Sequence, residues 1–218
     1  RYLDGIVIRT YEQAEAEILA DCGSIPVING LTNFAHPCQV LADLMTVREH
    51  FAQLEGLKMG FVGDGFNMCN SLIVGCLKVG MKVSVATPEG YEPDAKVLAF
   101  AEEMKKQGAS FELSHDIHQA ADNADVLFTD AWIGMGQEAE AEKRRKAFAG
   151  FTVDHDLLSC CKEGVMVQHC LPAHRGEEIT DEVLEEHADE IFEESENRLH
   201  AQKAVMVMLM SEKSDFHI

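Results

Sequence analysis

Two short runs in this chain set thiol, imidazole and amide groups against prolines: His169-Cys170-Leu171-Pro172 and His36-Pro37-Cys38-Gln39. The first follows the apolar stretch Gly164-Val165-Met166-Val167, so it reads as the carboxyl end of a buried strand, where ligands of open α/β sheets gather. Cys170 therefore stands where chemistry happens, although an isolated buried thiol is usually only a small hydrophobe. The second run reads as another strand-to-helix junction. Arg9 ends a further strand-like segment, and Arg198 sits in Glu196-Asn197-Arg198 after the apolar, strand-like pair Ile191-Phe192. Singly, each arginine is a surface residue or an ion-pair partner. Gathered at strand ends in an acidic chain, the two read as phosphate ligands.

The turn Gly63-Asp64-Gly65-Phe66-Asn67-Met68 follows a strand and opens a helix. Met68 occupies the position where a dinucleotide fingerprint needs its third glycine, so the free amides and Asn67 read instead as facing a small polar ligand. Asp130 also follows a strand. The loop Trp132-Ile133-Gly134-Met135-Gly136 comes after it, mobile or able to present backbone amides because of its glycines. Cys170, His169 and His174 could trap a metal by ligand type. No Cys-x-x-Cys pair occurs in the sequence, however, and no metal site is expected.

Strand and helix signals must alternate to place these groups, which is the pattern of a mostly parallel sheet with crossover helices. Strands are expected at residues 5–8, 25–28, 58–62, 82–86, 110–113, 126–129 and 165–169, with helices at 13–22, 39–51, 70–79, 95–107, 117–121 and 138–148. Val40, Leu41, Leu44, Val47 and Phe51 recur at helical spacing. The charged run 138–146 reads as a solvated helix face, and the Met-rich stretch 201–210 as packing. The chain opens at Arg1 directly into a strand-like segment, with too few βα units before the helix around Leu44 to cover a sheet. The first domain is therefore expected to be truncated.

The 218 residues, 46% hydrophobic and 26% charged, suit one large or two small domains with true cores. A net charge of −20 argues against nucleic acid or an anionic membrane as partner, and any anionic substrate must be caught by locally placed arginines. Seven cysteines are an odd number in a chain too large to need stapling. With no secretory signal at the start, a reducing, cytoplasmic setting is expected. No apolar run reaches the ~20 residues of a membrane span.

Read together, Ile8-Arg9-Thr10, residues 25–31 (Ile-Pro-Val-Ile-Asn-Gly-Leu), His36-Pro37-Cys38-Gln39, Gly63-Asp64-Gly65, Met135-Gly136-Gln137-Glu138, His169-Cys170-Leu171-Pro172 and Glu196-Asn197-Arg198 resemble the ornithine carbamoyltransferases over essentially the whole chain. The resemblance implies an α/β, two-domain carbamoyltransferase architecture with most of the first domain missing. Residues 1–57 would be the remnant of the carbamoyl phosphate domain plus a linking helix, 58–193 the ornithine domain, and 194–218 a helix returning to the first. It implies transfer of the carbamoyl group from carbamoyl phosphate to the δ-amine of L-ornithine, giving citrulline and phosphate, with no cofactor and in a homotrimer. By position, Arg9, His36, Gln39, Cys170, Leu171 and Arg198 would hold carbamoyl phosphate, and Asn67, Asp130, Gly134 and Met135 would hold ornithine. His36 would donate to the developing oxyanion, Asp130 would pair with the α-ammonium, and Cys170 would position and tune protonation near the δ-amine.

The family's phosphate-binding Ser-x-Arg-Thr-Arg loop is not among these residues, so the fragment alone is expected to turn over little. Gly134 stands where the family usually has Ser, and Phe66 where Asn is usual. Putrescine or an acylated ornithine therefore stays open as the amine. A non-catalytic carbamoyltransferase-like module and, on the Gly63 turn alone, a nucleotide-dependent oxidoreductase remain the alternatives.

Overall fold

The structure, a computed structural model, describes residues 2–211; Arg1 and residues 212–218, the end of the expected C-terminal segment, lie outside the described residues. The strands β1 (Ile6–Arg9) and β2 (Val27–Leu31), joined through α1 (Gln13–Cys22), form a two-stranded parallel sheet with Ile6 opposite Val27 and Ile8 opposite Asn29. After α2 (Pro37–Phe51) comes a five-stranded parallel sheet. It contains β3 (Lys58–Val62), β4 (Lys82–Ala86), β5 (Phe111–Ser114), β6 (Val126–Thr129) and β7 (Met166–His169), ordered β5-β4-β3-β6-β7. The expected α/β class, with parallel sheets and crossover helices, is the one that forms.

The central strands are buried on both faces, which is why they carry unbroken apolar runs rather than alternating ones. Met59, Phe61 and Phe128 pack against α3 (Asn67–Lys78) and α4 (Ala95–Lys106) through Leu72, Ile73, Val97 and Ala101. On the other face Val62, Leu127 and Val167 pack against α5 (Ile117–Ala121), α7 (His155–Leu158) and α8 (Asp181–Glu186). Strand order runs outward from β3 through β4 to β5, then returns to β6 and β7 on the opposite side. The chain thus leaves β3 and β6 in opposite directions, and such a switch opens a crevice at their carboxyl ends. The Gly63 turn and Asp130 stand at its two lips.

The last helix, α9 (Ala188–Met210), lies along α2, where the Asn197 amide donates to Thr46 Oγ1 at 3.0 Å and to Glu49 at 2.7 Å. Ile191-Phe192 is therefore helical, not strand-like, and Arg198 is a helix residue. The buried face of α9 runs through Ile191, Glu194, Asn197 and Ala201, so two of its four inward positions are polar and the helical period is hidden from a hydrophobicity reading. α2 starts at Pro37 rather than Gln39, since proline suits a first turn whose N–H is free.

Two further expectations fail. The run 138–146 is not wholly a solvated face: it forms a 3-10 turn (Glu138–Glu140) and α6 (Ala141–Ala147), in which Arg144 is only 4% exposed. The stretch 201–210 is fully buried only at Ala201, while Met208 is 68% exposed, because 23-residue α9 outruns 15-residue α2. Among the described residues no helix is long and apolar enough to cross a membrane.

Candidate active site

β2 ends in a tight loop closed by the Thr32 N–H donating to the Ala35 carbonyl, and this loop delivers His36 to the start of α2. The backbone N–H of His36 donates to Ser71 Oγ at 2.8 Å, which ties the start of α2 to α3. Burial, helped by the charges of Arg198 and Arg9, pushes the His36 pKa down to about 3. The ring is therefore neutral at physiological pH, a hydrogen-bonding group rather than a cation. Arg9 ends β1, and Arg198 reaches in from α9 with its guanidinium donating to Gln39 Oε1. Neither the His36 Nδ1 nor the Arg198 Nε, both buried, has a partner among the described residues. Two arginines and a neutral donor give this wall the charge and the donors that an anion requires.

The opposite wall comes from the five-stranded sheet. Gly63 adopts φ +151° and its N–H donates to the Ala86 carbonyl, turning the chain sharply out of β3. A Cβ at Gly65 would lie 2.4 Å from backbone atoms of Tyr91, Glu92 and Pro93, so only glycine fits there. The turn brings Asn67 to the first turn of α3, where its Nδ2 donates to the Thr32 carbonyl at 2.8 Å. Among the described residues no donor occupies its Oδ1, so this amide presents an acceptor to the crevice.

Asp130 Oδ1 accepts from the Ala131 N–H at 2.7 Å and from the Cys170 thiol at 3.1 Å. Burial raises the Asp130 pKa, and burial together with the charges of Asp130 and Glu194 raises that of Cys170 well above its ordinary value. Cys170 is thus a protonated donor to a carboxylate.

The turn that carries Cys170 is held from behind. His169 Nδ1 accepts the Leu171 N–H at 2.9 Å, and its Nε2 faces the buried Glu178 carboxylate at 3.0 Å. Leu171 has φ +55° and precedes a cis peptide to Pro172. Ligand atoms of Asp130, His169 and Cys170, rather than those of His174, cluster within 4.8 Å of one another. With both ring nitrogens of His169 engaged, no lone pair is left for an ion, and the residues do not fit a metal site.

Nine of the ten residues singled out in the sequence (Arg9, His36, Asn67, Asp130, Gly134, Met135, Cys170, Leu171 and Arg198) line one cleft of 320 Å³. Gln39 does not: it is 1% exposed and stands behind Arg198, its Nε2 donating to Asp43 at 2.8 Å and Glu194 at 2.9 Å. Helical geometry turns it inward, away from the position that His36 takes at the helix start.

The sequence reading missed the groups that support the walls. Asp64, buried beneath the Gly63 turn, pairs with Arg144, whose Nε also donates to the Trp132 carbonyl and whose guanidinium lies 5.0 Å from the Tyr91 ring centre. Burial, against the pull of Arg144, raises the Asp64 pKa to about 6. Gln137 Oε1 accepts the Gly134 N–H at 2.8 Å. Asp64 sat in a recognisable Gly-Asp-Gly turn, whereas nothing in a charged run marks Arg144 as buried.

Comparison with known proteins extends this geometry. Residues 55–209 match the aspartate/ornithine carbamoyltransferase Asp/Orn-binding domain, and residues 1–49 match the carbamoyl-P-binding domain of that family. Ornithine carbamoyltransferases of Pyrococcus horikoshii and Gloeobacter violaceus are each 53% identical over 211 residues, covering 96% of this chain and 67% of the relative. The solved ornithine carbamoyltransferase of Pyrococcus furiosus superposes with a TM-score of 0.89 at 50% identity, covering 96% of this chain and 67% of that one. The anabolic enzyme of Campylobacter jejuni gives 0.91 at 36% identity, with 95% and 69% covered. This chain, about two thirds the length of the relatives it matches, belongs to the aspartate/ornithine carbamoyltransferase family of transferases.

Proposed function

We propose that this cleft transfers the carbamoyl group of carbamoyl phosphate to the δ-amine of L-ornithine, yielding L-citrulline and phosphate. The observation that carries the reading is the convergence of Arg9, His36 and Arg198 with Asn67, Asp130 and Cys170 on one cavity. The arginines hold the phosphate, with Leu171 beside it. Neutral His36 donates to the carbonyl oxygen as it becomes negative, an effect commonly worth about 2.7–4 kcal/mol for one donor. Asp130 and the Asn67 oxygen take the α-ammonium, with Gly134 and Met135 lining the same end. An arriving cation offsets the burial that raises the Asp130 pKa.

The δ-amine, having lost one proton, attacks the carbonyl carbon. The carbon–oxygen bond to phosphate breaks with its electron pair leaving on the phosphate, and the amine's second proton passes to that phosphate or to water. A thiol held protonated is neither the nucleophile nor the base, so Cys170 keeps Asp130 and the reacting amine aligned, and most of the rate comes from proximity. No cofactor enters the reaction. Residues 1–57, with α9 returning to them, form the carbamoyl phosphate side in this reading, and residues 58–193 form the ornithine side. A cytoplasmic homotrimer belongs to it too; seven cysteines, all free, support a reducing compartment.

The test is product formation by the protein at its natural length, given carbamoyl phosphate and a panel of L-ornithine, putrescine and N-acetylornithine. Citrulline as the main product is expected. Carbamoylation of another amine only, or of none, overturns the reading.

A further inference from the structure

Behind the anion-binding wall lies a buried polar cluster that the proposed reaction does not use directly. Glu194 on α9 is 1% exposed and Asp43 on α2 is fully buried. Both accept from the single Nε2 of Gln39, at 2.9 and 2.8 Å. That leaves the Gln39 Oε1 facing the Arg198 guanidinium. The second oxygen of Glu194 accepts the backbone N–H of His169 at 3.0 Å, at the end of β7 just before Cys170. Glu194 is thus bonded on one side to the group that holds Arg198 and on the other to the strand end that carries the thiol. Two buried carboxylates this close share one proton: burial raises Asp43 to about 7 and pushes Glu194 well above its ordinary value.

We propose that Glu194 is a positioning residue for anion binding: by accepting from Gln39 and from His169 at once, it fixes the Gln39 amide so that its oxygen faces Arg198, and ties that arginine to the Cys170 turn. This deepens the carbamoyl-transfer reading and rests on it. The two carboxylates are not equivalent, and the difference supplies the test. Both Glu194 oxygens face donors, so a Gln there must turn an NH2 toward either the Gln39 amide or the His169 N–H. The His169 N–H is a backbone donor fixed in β7, so the NH2 turns toward Gln39, flips that amide and sets its NH2 against the Arg198 guanidinium. Asp43 Oδ1 accepts from Gln39 and no donor among the described residues reaches its Oδ2, so an Asn fits there with its oxygen on Gln39 and its NH2 able to stand in for the proton shared with Glu194.

The experiment compares the native protein at its natural length with Glu194→Gln and Asp43→Asn, confirming folding by circular dichroism. Two quantities are read: KM for each substrate, and calorimetric affinity for inorganic phosphate, which needs no transfer step. Glu194→Gln is expected to raise KM for carbamoyl phosphate and weaken phosphate binding by at least about tenfold, with the ornithine KM within about threefold, a split that marks loss of one half-site. Asp43→Asn is expected to stay within about threefold throughout, since the partner it removes is the one a neutral side chain replaces. In an Arg198→Met background, Glu194→Gln is expected to add less than about twofold, as coupled residues do.

A folded Glu194→Gln protein that binds phosphate as tightly as the native one overturns the proposal. So do equal rises in both KM values, or additivity with Arg198→Met. Should Glu194→Gln fail to fold, Glu194→Asp takes its place in the same cycle, keeping both acceptors on a stem too short to reach both donors. A native protein that binds phosphate but forms no carbamoylated amine instead overturns the reaction proposed above; one that binds no phosphate overturns both.

Discussion

At Cys170 a nucleophile by type is a hydrogen-bond donor by environment. Its thiol points at Asp130 from a site where burial and the carboxylates of Asp130, Glu194 and Asp43 oppose ionisation. Cys170→Ala is therefore expected to leave a working but slower enzyme. Loss of one donor to a partly buried carboxylate costs about 1–3 kcal/mol, or roughly one to two orders of magnitude in kcat. Rapid-mix kinetics should show no phosphate burst in the native protein, and a burst equal to the enzyme concentration would establish a covalent route instead.

His36 carries the second prediction at this scale. With its pKa near 3, the imidazole is neutral across the working range, so His36→Gln should slow the reaction alike at every pH between about 5 and 8. An acid limb near pH ~6.5 that disappears in the variant would contradict this. The sign for stability follows from the same shift. Above the unfolded value of ~6.5 both states are neutral, and below it only the unfolded chain takes up the proton. Stability is therefore lost as pH falls from there toward about 3, by roughly 1.4 kcal/mol per unit. Melting temperatures of native and variant should diverge in that window. The residues on the cleft walls were legible because their types recur where strands end or helices begin, except Arg198, which stands inside α9 and was marked only by its motif. Arg144 was not, because burial of one arginine within a charged run is decided by Asp64, which lies 80 positions away.

At the level of elements, the crevice depends on how the loop after β6 is held. Arg144 in α6 grips that loop at the Trp132 carbonyl and grips the Gly63 turn at Asp64, with the Tyr91 and Phe148 rings against its guanidinium. Arg144→Met leaves a buried carboxylate unpaired. It is expected to cost about 3–5 kcal/mol in denaturant unfolding and to raise the ornithine KM more than the carbamoyl phosphate KM, because Gly134 and Met135 sit on the released loop. An unchanged ornithine KM would show that the loop is ordered without this grip. The strands and most helices were legible from apolar runs and periodicity. α9 was partly hidden, since the face it buries includes Glu194 and Asn197, and these polar positions gain their meaning only from Gln39, Thr46 and Glu49 across the helix pair.

Across the whole molecule, the two-stranded and five-stranded sheets meet so that one set of strand ends faces the other. The Asn67 amide spans the gap to the Thr32 carbonyl over 35 positions of sequence. Each half-site was legible from its own motif, whereas their facing across one cleft was expected from the family resemblance and not from any single motif, because it follows from helix packing and from the order of strands around β3. With a net charge of −20 on the protein, an anionic substrate must be caught by locally placed cations, and in the proposed reading these are Arg9 and Arg198, so the division of labour between the walls should be sharp. The most direct measurement is initial-rate kinetics at natural length, with both substrates varied, for the native protein, Arg198→Met and Asp130→Asn. Two facing half-sites predict crossed effects: Arg198→Met raises the carbamoyl phosphate KM at least about tenfold with ornithine little changed, and Asp130→Asn does the reverse. Both variants shifting the same KM, or neither shifting any, would contradict a cleft built from two separate grips.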